Sequence, residues 1–548
     1  MSKVIVSSDF FLEEVRGGAE FYNEELLQAL AKDHDVIAIK SEHLSIDFFK
    51  QHKDAFFIVS NFVLLSEAVK QCLINDDVRY CILEHNPAWN KQDNPLRYPK
   101  SIVPEDQLQH VEFYKNAEAI LCQSQLHADL TRKNLLLNNV VNLGCNLWRE
   151  ETLQLLEKNI DTEKTRKVGI MESQNKNKGF PQAVNYCRSN DIEFDAIPFL
   201  TQENFFSELA KTETLVLFPQ WLETFCRVAV EARVLGCKLI TNKALGCASE
   251  PFFKLKGKEL LDEIRRRREG VLEVYEKLIA GQTVETVSPP LQLPKVTLIS
   301  TFYNADEYID GHLKNIREQT IFDDLEIIFV DPASPGKDKQ KVDGFVSEFS
   351  NATLIESEKR ITTAEAFNLA LQFSKGDLVV FACTDDRMAK DYLETARKHL
   401  FLDEDVDLVY GDCLQTTKPN ETVEQNSSRG RLYEHSRMKF SPENMIKSLP
   451  GPMPAFRKSM IEKHGSFKDE LKFASDWELW LRCVRGGSKF KKIDKVVGLY
   501  YYNKDGLSTS PENAVPRLKE EAQVFNEYKD VIGEKNYNTF KDYFNQAL

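Results

Sequence analysis

The sequence predicts an α/β protein made of two successive halves. Short apolar runs recur along the chain with helical patterns between them, which is typical of parallel sheets. The chain has 548 residues, which is more than one ordinary hydrophobic core holds, so more than one domain is expected. A charged segment and a proline-rich stretch interrupt the alternation, and a fresh strand restarts it at residue 295.

The first half, residues 1–254, carries the first series of predicted strands. A helical pattern over residues 19–32 separates the first two of these strands. The apolar runs predict strands at residues 3–8, 35–40, 55–60, 79–85, 118–123, 167–171, 214–219 and 238–242. We therefore expect the first domain to be an α/β unit with parallel strands.

Residues 255–293 are predicted to connect the two halves. A charged helix comes first, and a proline-rich linker follows it. We expect the halves to separate near residue 282. The run Arg265–Arg268 lies among acidic residues on this helix, so we interpret it as a solvated helix face, with a phosphate-binding patch as the alternative.

The second half, residues 294–548, is predicted to form the second domain. A strand is expected at residues 295–301, and the segment 325–334 is expected to be a strand that ends in Asp331 and a proline-containing turn after it. A buried strand at 378–382 leads into an acidic pair. The helical pattern before that pair again implies a parallel sheet.

Composition narrows the class of protein. The net charge of −14 argues against nucleic-acid binding over the whole surface, although a local basic groove stays possible. The eleven cysteines are scattered without a C-x-x-C pair, which favours reduced thiols and a cytoplasmic location. The N-terminal sequence lacks the features of a signal peptide, and no apolar run is long enough to predict a transmembrane segment.

Acidic residues lie at two predicted strand ends in the second half. Asp331 ends the strand LEIIFVD, and Asp385 and Asp386 follow the strand at 378–382. Ligands of open α/β sheets bind beyond the carboxyl ends of strands, so these acids suggest one crevice. Their oxygen atoms suit Mn²⁺ or Mg²⁺ shared with a diphosphate. The alternative is a strand-end turn or a helix cap, with Arg387-Met388-Ala389 opening a helix.

Ordered motifs in the second half resemble the family 2 glycosyltransferases, which have a GT-A fold. The similar segments are VTLISTFYNADEYIDGHLKNIREQT, LEIIFVDPAS, AEAFNLALQFSKGDLVVFACTDD, HGSFKDELKFASDWELWLRC and GLYYYNKDGLS, spread over about residues 295–510. The resemblance implies that Asp331 binds the donor nucleotide and that Asp385 and Asp386 hold the metal. It also implies that Asp476 is the general base of an inverting transfer.

Three positions depart from the family pattern: Pro332 replaces the usual second acid, Cys383 the first acid of the metal motif, and Asn503 an arginine. Cys383 puts chelation by two carboxylates in doubt, since thiolates are poor partners for Mg²⁺. Asp476 and Glu478 are two residues apart, so on a helix only one is expected to face the acceptor. The alternative for Asp476 is a helix N-cap.

The first half resembles the family 4 glycosyltransferases, whose GT-B fold is a pair of Rossmann-like units. In VRGGAEFYNEELLQAL, Gly17 and Gly18 precede a helix whose amides can face a diphosphate. In FPQWLETFCRVAVEARVLGCKLITN, Glu223 and Glu231 match the family's E-x7-E signature, which implies contacts to the donor sugar and its ribose. Lys178, in NKNKGFPQA, is similar to the family's diphosphate-binding lysine.

Two further positions in the first half bear on this resemblance. The arginine expected after Gly169 is Ile170, and His85 lies where the family often has an active-site histidine. A lone histidine is more often structural. The two domains together are expected to form a bifunctional glycosyltransferase that uses nucleotide sugars, with a UDP-sugar as donor for the second domain.

The acceptor stays open among a glycan, a lipid-linked glycan, a protein and a modified nucleobase. One alternative is that only one half is catalytic and that the other is a degenerate module that binds a glycan or a partner. A rival class is a binding protein, in which both halves keep sugar-nucleotide folds but only recognise glycans or assemble partners. The departures at Cys383 and Ile170 favour this rival. A dinucleotide-dependent oxidoreductase is disfavoured, because no G-x-G-x-x-G follows the first strand.

Overall fold

The computed structural model describes residues 1–15, 17–76, 78–198 and 200–547. The chain divides into two compact units, Met1–Leu291 and Gln292–Leu548. Independent folding of the two halves on either side of residue 282 remains a prediction.

The first unit is built on two parallel sheets. Its strands are β1 (Lys3–Ser8), β2 (Asp35–Lys40), β3 (Phe56–Ser60), β4 (Tyr80–Leu83), β5 (Ala119–Cys122), β6 (Val140–Asn142), β7 (Arg166–Met171), β8 (Asp195–Ile197), β9 (Thr212–Leu217) and β10 (Lys238–Thr241). Over the described residues, one sheet has the order β2-β1-β3-β4-β5-β6 and the other β10-β9-β7-β8, with every pairing parallel. The predicted parallel α/β class is confirmed for this unit.

Helices connect these strands and bury apolar faces on the sheets. They are α1 (Gly18–Leu30), α2 (Ile46–Gln51), α3 (Glu67–Asn75), α4 (Val111–Lys115), α5 (Gln125–Leu135), α6 (Glu150–Lys158), α7 (Phe180–Ser189), α8 (Gln202–Ala210), α9 (Arg227–Val234) and α10 (Gly257–Ile279). In α1, Tyr22, Leu26 and Leu30 share one side of the helix and join Val4 and Val6 of β1 in the core.

The charged helix α10 is part of the first unit. Its apolar side, which includes Leu260, Ile264 and Tyr275, lies in the same core as α1. The arginine run is paired rather than simply solvated. Arg265 contacts Glu150 and Glu157, Arg266 and Arg267 contact Glu263, and Arg268 contacts Glu25. Each arginine therefore has a carboxylate partner within the unit, so the run does not form an open phosphate patch.

The second unit is built on one mixed sheet. Its strands are β11 (Val296–Thr301), β12 (Leu325–Asp331), β13 (Ala352–Glu356), β14 (Leu378–Phe381), β15 (Arg387–Met388), β16 (Leu408–Thr416), β17 (Ala455–Arg457) and β18 (Phe490–Tyr501). Their order in the sheet is β13-β12-β11-β14-β17-β16-β18-β15. The first four strands are parallel to one another, and β17 pairs antiparallel with both β14 and β16.

The helices of this unit flank that sheet. They are α11 (Ile309–Arg317), α12 (Asp338–Glu348), α13 (Thr363–Phe373), α14 (Tyr392–Leu402), α15 (Lys458–His464), α16 (Ser475–Arg485), α17 (Ala514–Glu527), α18 (Lys529–Ile532) and α19 (Glu534–Phe544). A capping box of Thr362 and Glu365 starts α13. A search of the helices in the described ranges finds none with the length and apolarity needed to cross a membrane.

The suggestion that Arg387-Met388-Ala389 opens a helix is wrong. Arg387 and Met388 form β15, which pairs antiparallel with Leu499 and Gly498 of β18. Two residues carry no periodicity, so their pairing with a strand more than 100 residues away cannot be recognised locally.

Candidate active site

Acidic residues of the second unit lie at the ends of two strands, at one edge of the sheet. Asp331 is the last residue of β12, and Asp385 and Asp386 follow β14; the strand β11 lies between these two strands. Since the three strands are parallel, their carboxyl ends share one edge. Asp331 is buried, and its Oδ1 accepts a hydrogen bond of 2.7 Å from the amide of Ser334.

The acidic pair has the donor set of a metal site. One ligand atom from each of Cys383, Asp385 and Asp386 lies within 4.8 Å of the others. Burial raises the pKa of both carboxyls, and the charge of Asp385 raises that of Asp386 further, to well above its usual range. Two neighbouring carboxylates in such a place repel one another unless a cation compensates them. Their oxygens fit Mn²⁺ or Mg²⁺, whereas the thiol of Cys383 is a poor ligand for either.

The protein compensates the pair only in part: the charge of Arg387 lowers the pKa of both carboxyls, but burial has the larger, opposite effect. Arg387 follows the pair, but its guanidinium donates to the backbone carbonyls of Thr384 at 2.8 Å and Asp386 at 2.6 Å. Among the ion pairs of the described residues, none joins a lysine or arginine to Asp385 or Asp386. Asp386 Oδ1 accepts from the amide of Tyr501 at 2.9 Å, while Asp385 is half-buried. Asp385 is therefore the more accessible of the two potential metal ligands.

Asp476 lies at the wall of a large cavity in the same unit. It is in the first turn of α16, whose N-cap is Ala474, so the N-cap interpretation of Asp476 is wrong. The cavity has a volume of about 1000 Å³ and is also lined by Tyr433, Tyr500 and Trp477. Asp476 Oδ2 accepts a hydrogen bond of 2.7 Å from the hydroxyl of Ser448. Burial raises the pKa of Asp476, and this hydrogen bond opposes the rise.

The cavity and the acidic crevice are neighbours. The pKa of the Cys383 thiol is raised well above its usual range, first by burial and then by the charges of Asp386, Asp385 and Asp476. Tyr500 lines the cavity, and burial together with the charges of the acidic pair raises its pKa. The charges of the strand-end acids and of Asp476 therefore act on one side chain, that of Cys383.

Glu478, in contrast, lies in the protein interior. Its carboxylate is fully buried and accepts hydrogen bonds from Arg482 at 3.0 Å and from the hydroxyl of Tyr528 at 2.6 Å. Lys468 lies 3.0 Å from the same carboxylate. As the two-residue spacing implied, Asp476 and Glu478 have different surroundings, and of the two only Asp476 lines the cavity.

In the first unit, Gly17 and Gly18 start α1 as the sequence suggested. Gly17 is the N-cap and Gly18 the first helical residue. The carboxylate of Glu20 accepts hydrogen bonds from the amides of Gly17 and Glu20 itself, and burial raises its pKa. The amides expected to face a diphosphate therefore face a buried carboxyl of the same helix.

The E-x7-E glutamates have different partners. Lys178 Nζ lies 2.7 Å from Glu223 Oε1, so the two predicted donor-binding side chains contact each other. Glu231 is buried in α9 and accepts a hydrogen bond of 2.9 Å from Trp148 Nε1, with Arg227 Nε at 3.6 Å. These contacts hold both carboxylates in fixed positions.

Arg227 and Thr224 link the predicted residues of the first unit. A Cβ atom added to Gly18 would lie 3.8 Å from Arg227 Cδ, so the arginine borders the start of α1. The hydroxyl of Thr224, next to Glu223, donates to the carbonyl of His85 at 2.7 Å. Burial lowers the pKa of His85 to about 3, so its imidazole is neutral. Ile170 is buried in β7 and offers no cation.

Sequence reasoning missed several of these groups. Ser448 and the amide of Tyr501 fix the oxygens of Asp476 and Asp386, yet a loop serine and a backbone amide carry no recognisable signal. Arg227 lies inside the E-x7-E motif, four residues before Glu231, so the sequence could have indicated its contact with that glutamate.

Comparison with known proteins defines the class: the second unit carries a glycosyltransferase domain. More narrowly, residues 297–465 match the family model described as glycosyl transferase family 2. That match agrees with the resemblance that the motifs of this segment suggested. The resemblance of the first half to family 4 remains a prediction.

Relatives and solved structures share parts of the chain. The uncharacterized glycosyltransferase MJ1057 of Methanocaldococcus jannaschii is 22% identical over 38% of this chain and 70% of its own length. The teichoic acid poly(glycerol phosphate) polymerase of Staphylococcus epidermidis is 26% identical over 36% of this chain, but the alignment spans only 27% of that relative. The structure of S. aureus TarS 1-349 in complex with UDP-GlcNAc is 17% identical, with a TM-score of 0.37, over 45% of this chain and 74% of that one.

Proposed function

We propose that the second unit transfers a sugar from a nucleotide-sugar donor to an acceptor hydroxyl held in the cavity beside Asp476. One observation carries the proposal: a half-buried carboxylate lines a cavity of about 1000 Å³ that adjoins an acidic crevice at the strand ends. The donor would bind in the crevice and the acceptor in the cavity. Transfer requires that the two bound substrates lie next to each other.

Asp476 is the proposed general base. As the acceptor oxygen attacks the anomeric carbon, its proton passes to a carboxylate oxygen of Asp476, and the bond to the diphosphate breaks. A single displacement of this kind inverts the anomeric configuration. Ser448 holds Oδ2 of Asp476 by the 2.7 Å hydrogen bond and thereby orients the carboxylate.

The strand-end acids are the proposed donor site. Asp331 would accept hydrogen bonds from the nucleoside, and Asp385 with help from Asp386 would hold Mn²⁺ or Mg²⁺. The ion, when bound, neutralises the charge that develops on the departing diphosphate. A UDP-sugar is the donor proposed first. The acceptor is a hydroxyl of a glycan, a lipid-linked glycan, a protein or a modified nucleobase.

Donor binding by calorimetry tests this proposal. UDP- and GDP-sugars are titrated into the full chain with Mn²⁺ present, and one of them is expected to bind. Asp331→Asn should weaken that donor, while Asp343→Asn, on the nearby helix α12, serves as the matched control. If no nucleotide sugar binds in the presence of the metal, the proposed function is wrong.

Removal of the Ser448 hydroxyl is expected to shift the pH dependence of transfer. A base must be ionised, so transfer falls as the pH drops through the pKa of Asp476. Burial raises that pKa and the Ser448 hydrogen bond lowers it, so Ser448→Ala raises it further. The acid limb of kcat/KM should therefore move to higher pH, with a nearly normal rate on the alkaline side. The neighbouring Ser475→Ala is the control, and an unmoved limb in Ser448→Ala would contradict the assignment of the base.

For the first unit we propose a second sugar transfer to the same acceptor, which makes the chain bifunctional. The proximity of Glu223 and Lys178, and of Glu231, Arg227 and Gly18, supports a donor site there. The alternative is a binding module without catalysis. The buried carboxyl of Glu20 at the start of α1 favours that alternative, because it opposes a diphosphate at the same amides.

Substitutions in the E-x7-E motif distinguish these two functions. In a chain whose second unit is silenced by Asp385→Asn, Glu231→Gln is expected to weaken donor binding by roughly 1.5–3 kcal/mol, the value of a hydrogen bond to a charged group. Glu223→Ala should reduce turnover more than binding. Calorimetry and diphosphate release measure the two effects. Unchanged affinity and rate in both variants would favour the binding module.

The proposed location is the cytoplasm. All eleven cysteines are free thiols in the structure, which supports a reducing compartment.

A further inference from the structure

We propose that the acceptor held beside Asp476 is an anionic glycan, one whose sugars carry phosphate or carboxylate groups. This inference rests on the proposed function of the second unit and names the chemistry of its acceptor. It starts from the charge and the aromatic side chains of the cavity wall.

One wall of the cavity is a basic segment, defined here as residues 429–439, in the long connection between β16 and β17. The segment reads RGRLYEHSRMK, with four arginines and lysines against one glutamate. Its arginines Arg431 and Arg437 line the cavity. In a chain with a net charge of −14, such a segment is a local reversal of sign.

The two arginines are available to a ligand. Both are exposed, and among the ion pairs of the described residues neither has a carboxylate partner. The other cations of the wall are already compensated: Lys447 pairs with Glu434 at 2.7 Å, and Arg517 lies 3.6 Å from Glu521. After these pairs are set aside, Arg431 and Arg437 are the arginines or lysines that remain for a ligand in the cavity that Asp476 also lines.

The basic segment is held in place by the sheet. The amide of Tyr433 donates to the carbonyl of Cys413 at 2.7 Å, and the amide of Gln415 donates to the carbonyl of Arg431 at 2.8 Å. Leu432 forms an antiparallel bridge with Leu414 of β16. These bonds fix the backbone that carries Arg431, so the wall is preorganised for a ligand.

Aromatic side chains indicate that the charged ligand is a glycan. Tyr502 and Tyr543 line the cavity and remain 39% and 56% exposed, so their rings are accessible to a ligand. Flat aromatic faces pack against the apolar faces of sugar rings. Arginine guanidinium groups bind phosphate or carboxylate through bidentate hydrogen bonds. The neutral imidazole of His435, whose pKa burial lowers to about 4, adds a hydrogen-bonding group without charge.

The test is a binding measurement that does not need turnover. The buried Trp477 lines the cavity, so its fluorescence reports occupancy in the full chain. The probes are tetragalacturonate, neutral maltotetraose and inorganic phosphate. We expect tetragalacturonate to bind at least about tenfold more tightly than maltotetraose, in line with a hydrogen bond between charged groups. Inorganic phosphate should bind weakly, because it lacks the sugar rings.

Substitution of the two arginines completes the test. The double variant Arg431→Gln, Arg437→Gln should lose the preference for tetragalacturonate while its affinity for the sugar-nucleotide donor stays unchanged. Arg317→Gln, an exposed arginine of α11, is the matched control. The proposal is overturned if maltotetraose binds as tightly as tetragalacturonate, if neither binds, or if the double variant keeps the preference. Inorganic phosphate binding as tightly as the glycan would also overturn it, since the site would then be a simple anion site. Failure here leaves donor binding intact, so it is distinguishable from failure of the proposed function.

Discussion

Asp476→Asn is expected to reduce sugar transfer by the second unit by about 10² to 10⁴-fold, the usual contribution of a positioned general base. Asparagine keeps the shape of the side chain and can still accept the hydrogen bond from Ser448, but it cannot take a proton. Donor affinity should barely change, because Asp476 lines the cavity rather than the crevice of the strand-end acids. Transfer rates with donor titrations measure both quantities.

Glu478→Gln is the matched control for Asp476→Asn, since the two acids lie in the same helical turn. Glu478 is fully buried among Arg482, Lys468 and Tyr528, so losing its charge should lower the melting temperature. The transfer rate per folded molecule should stay close to normal. Near-normal transfer by Asp476→Asn, or a larger loss of rate in Glu478→Gln, would remove Asp476 from the role of base.

Loss of the metal is expected to have an effect of similar size. Asp385→Asn, or treatment with a chelator, should lower donor turnover by at least about 10²-fold, because a bound cation contributes several kcal/mol to stabilising the departing charge. Asp385 carries this prediction because it is more accessible than Asp386, whose Oδ1 already accepts from the amide of Tyr501. Diphosphate release with and without added Mn²⁺ measures the effect.

Cys383→Asp is a control that is expected to raise metal affinity rather than lower it. It replaces a thiol that suits hard cations poorly with a carboxylate, so metal affinity should rise and turnover should be retained. Asp386→Asn should have a smaller effect than Asp385→Asn. Full turnover by the wild-type chain in the presence of excess EDTA would contradict a metal-dependent second unit.

The positions of the buried parallel strands were the most predictable part of the fold. Apolar runs bounded by polar turns placed β1, β11 and β12 almost to the residue, because buried parallel strands need continuous apolar sequence. The neighbouring positions of Asp331 and Asp385 then followed from the parallel order of the strands. The strands β15 to β18, whose pairings include both parallel and antiparallel ones, were not predicted, because their pairing depends on contacts distant in sequence.

The site itself was predictable only in outline. The two-residue spacing of Asp476 and Glu478 indicated different surroundings for each, but the cavity beside Asp476 is assembled from the segment 429–439 and from helices α16, α17 and α19. No local pattern joins such distant segments. In the first unit, no pattern singled out Glu20, whose carboxylate accepts hydrogen bonds from amides at the helix start where a diphosphate was expected.

We propose above that the second unit is a nucleotide-sugar transferase, in which the strand-end acids bind the donor and its metal and Asp476 is the general base. The most direct test of this proposal is the release of nucleoside diphosphate by the full chain across a panel of nucleotide sugars, with Mn²⁺ and an anionic glycan acceptor. To isolate the second unit, the measurement uses a Glu223→Ala background, compared with the same chain carrying Asp385→Asn or Asp476→Asn. We expect release with one donor, and each of the two substitutions should suppress it by at least about 10²-fold. Equal release in all three chains, or none with any donor, would contradict it.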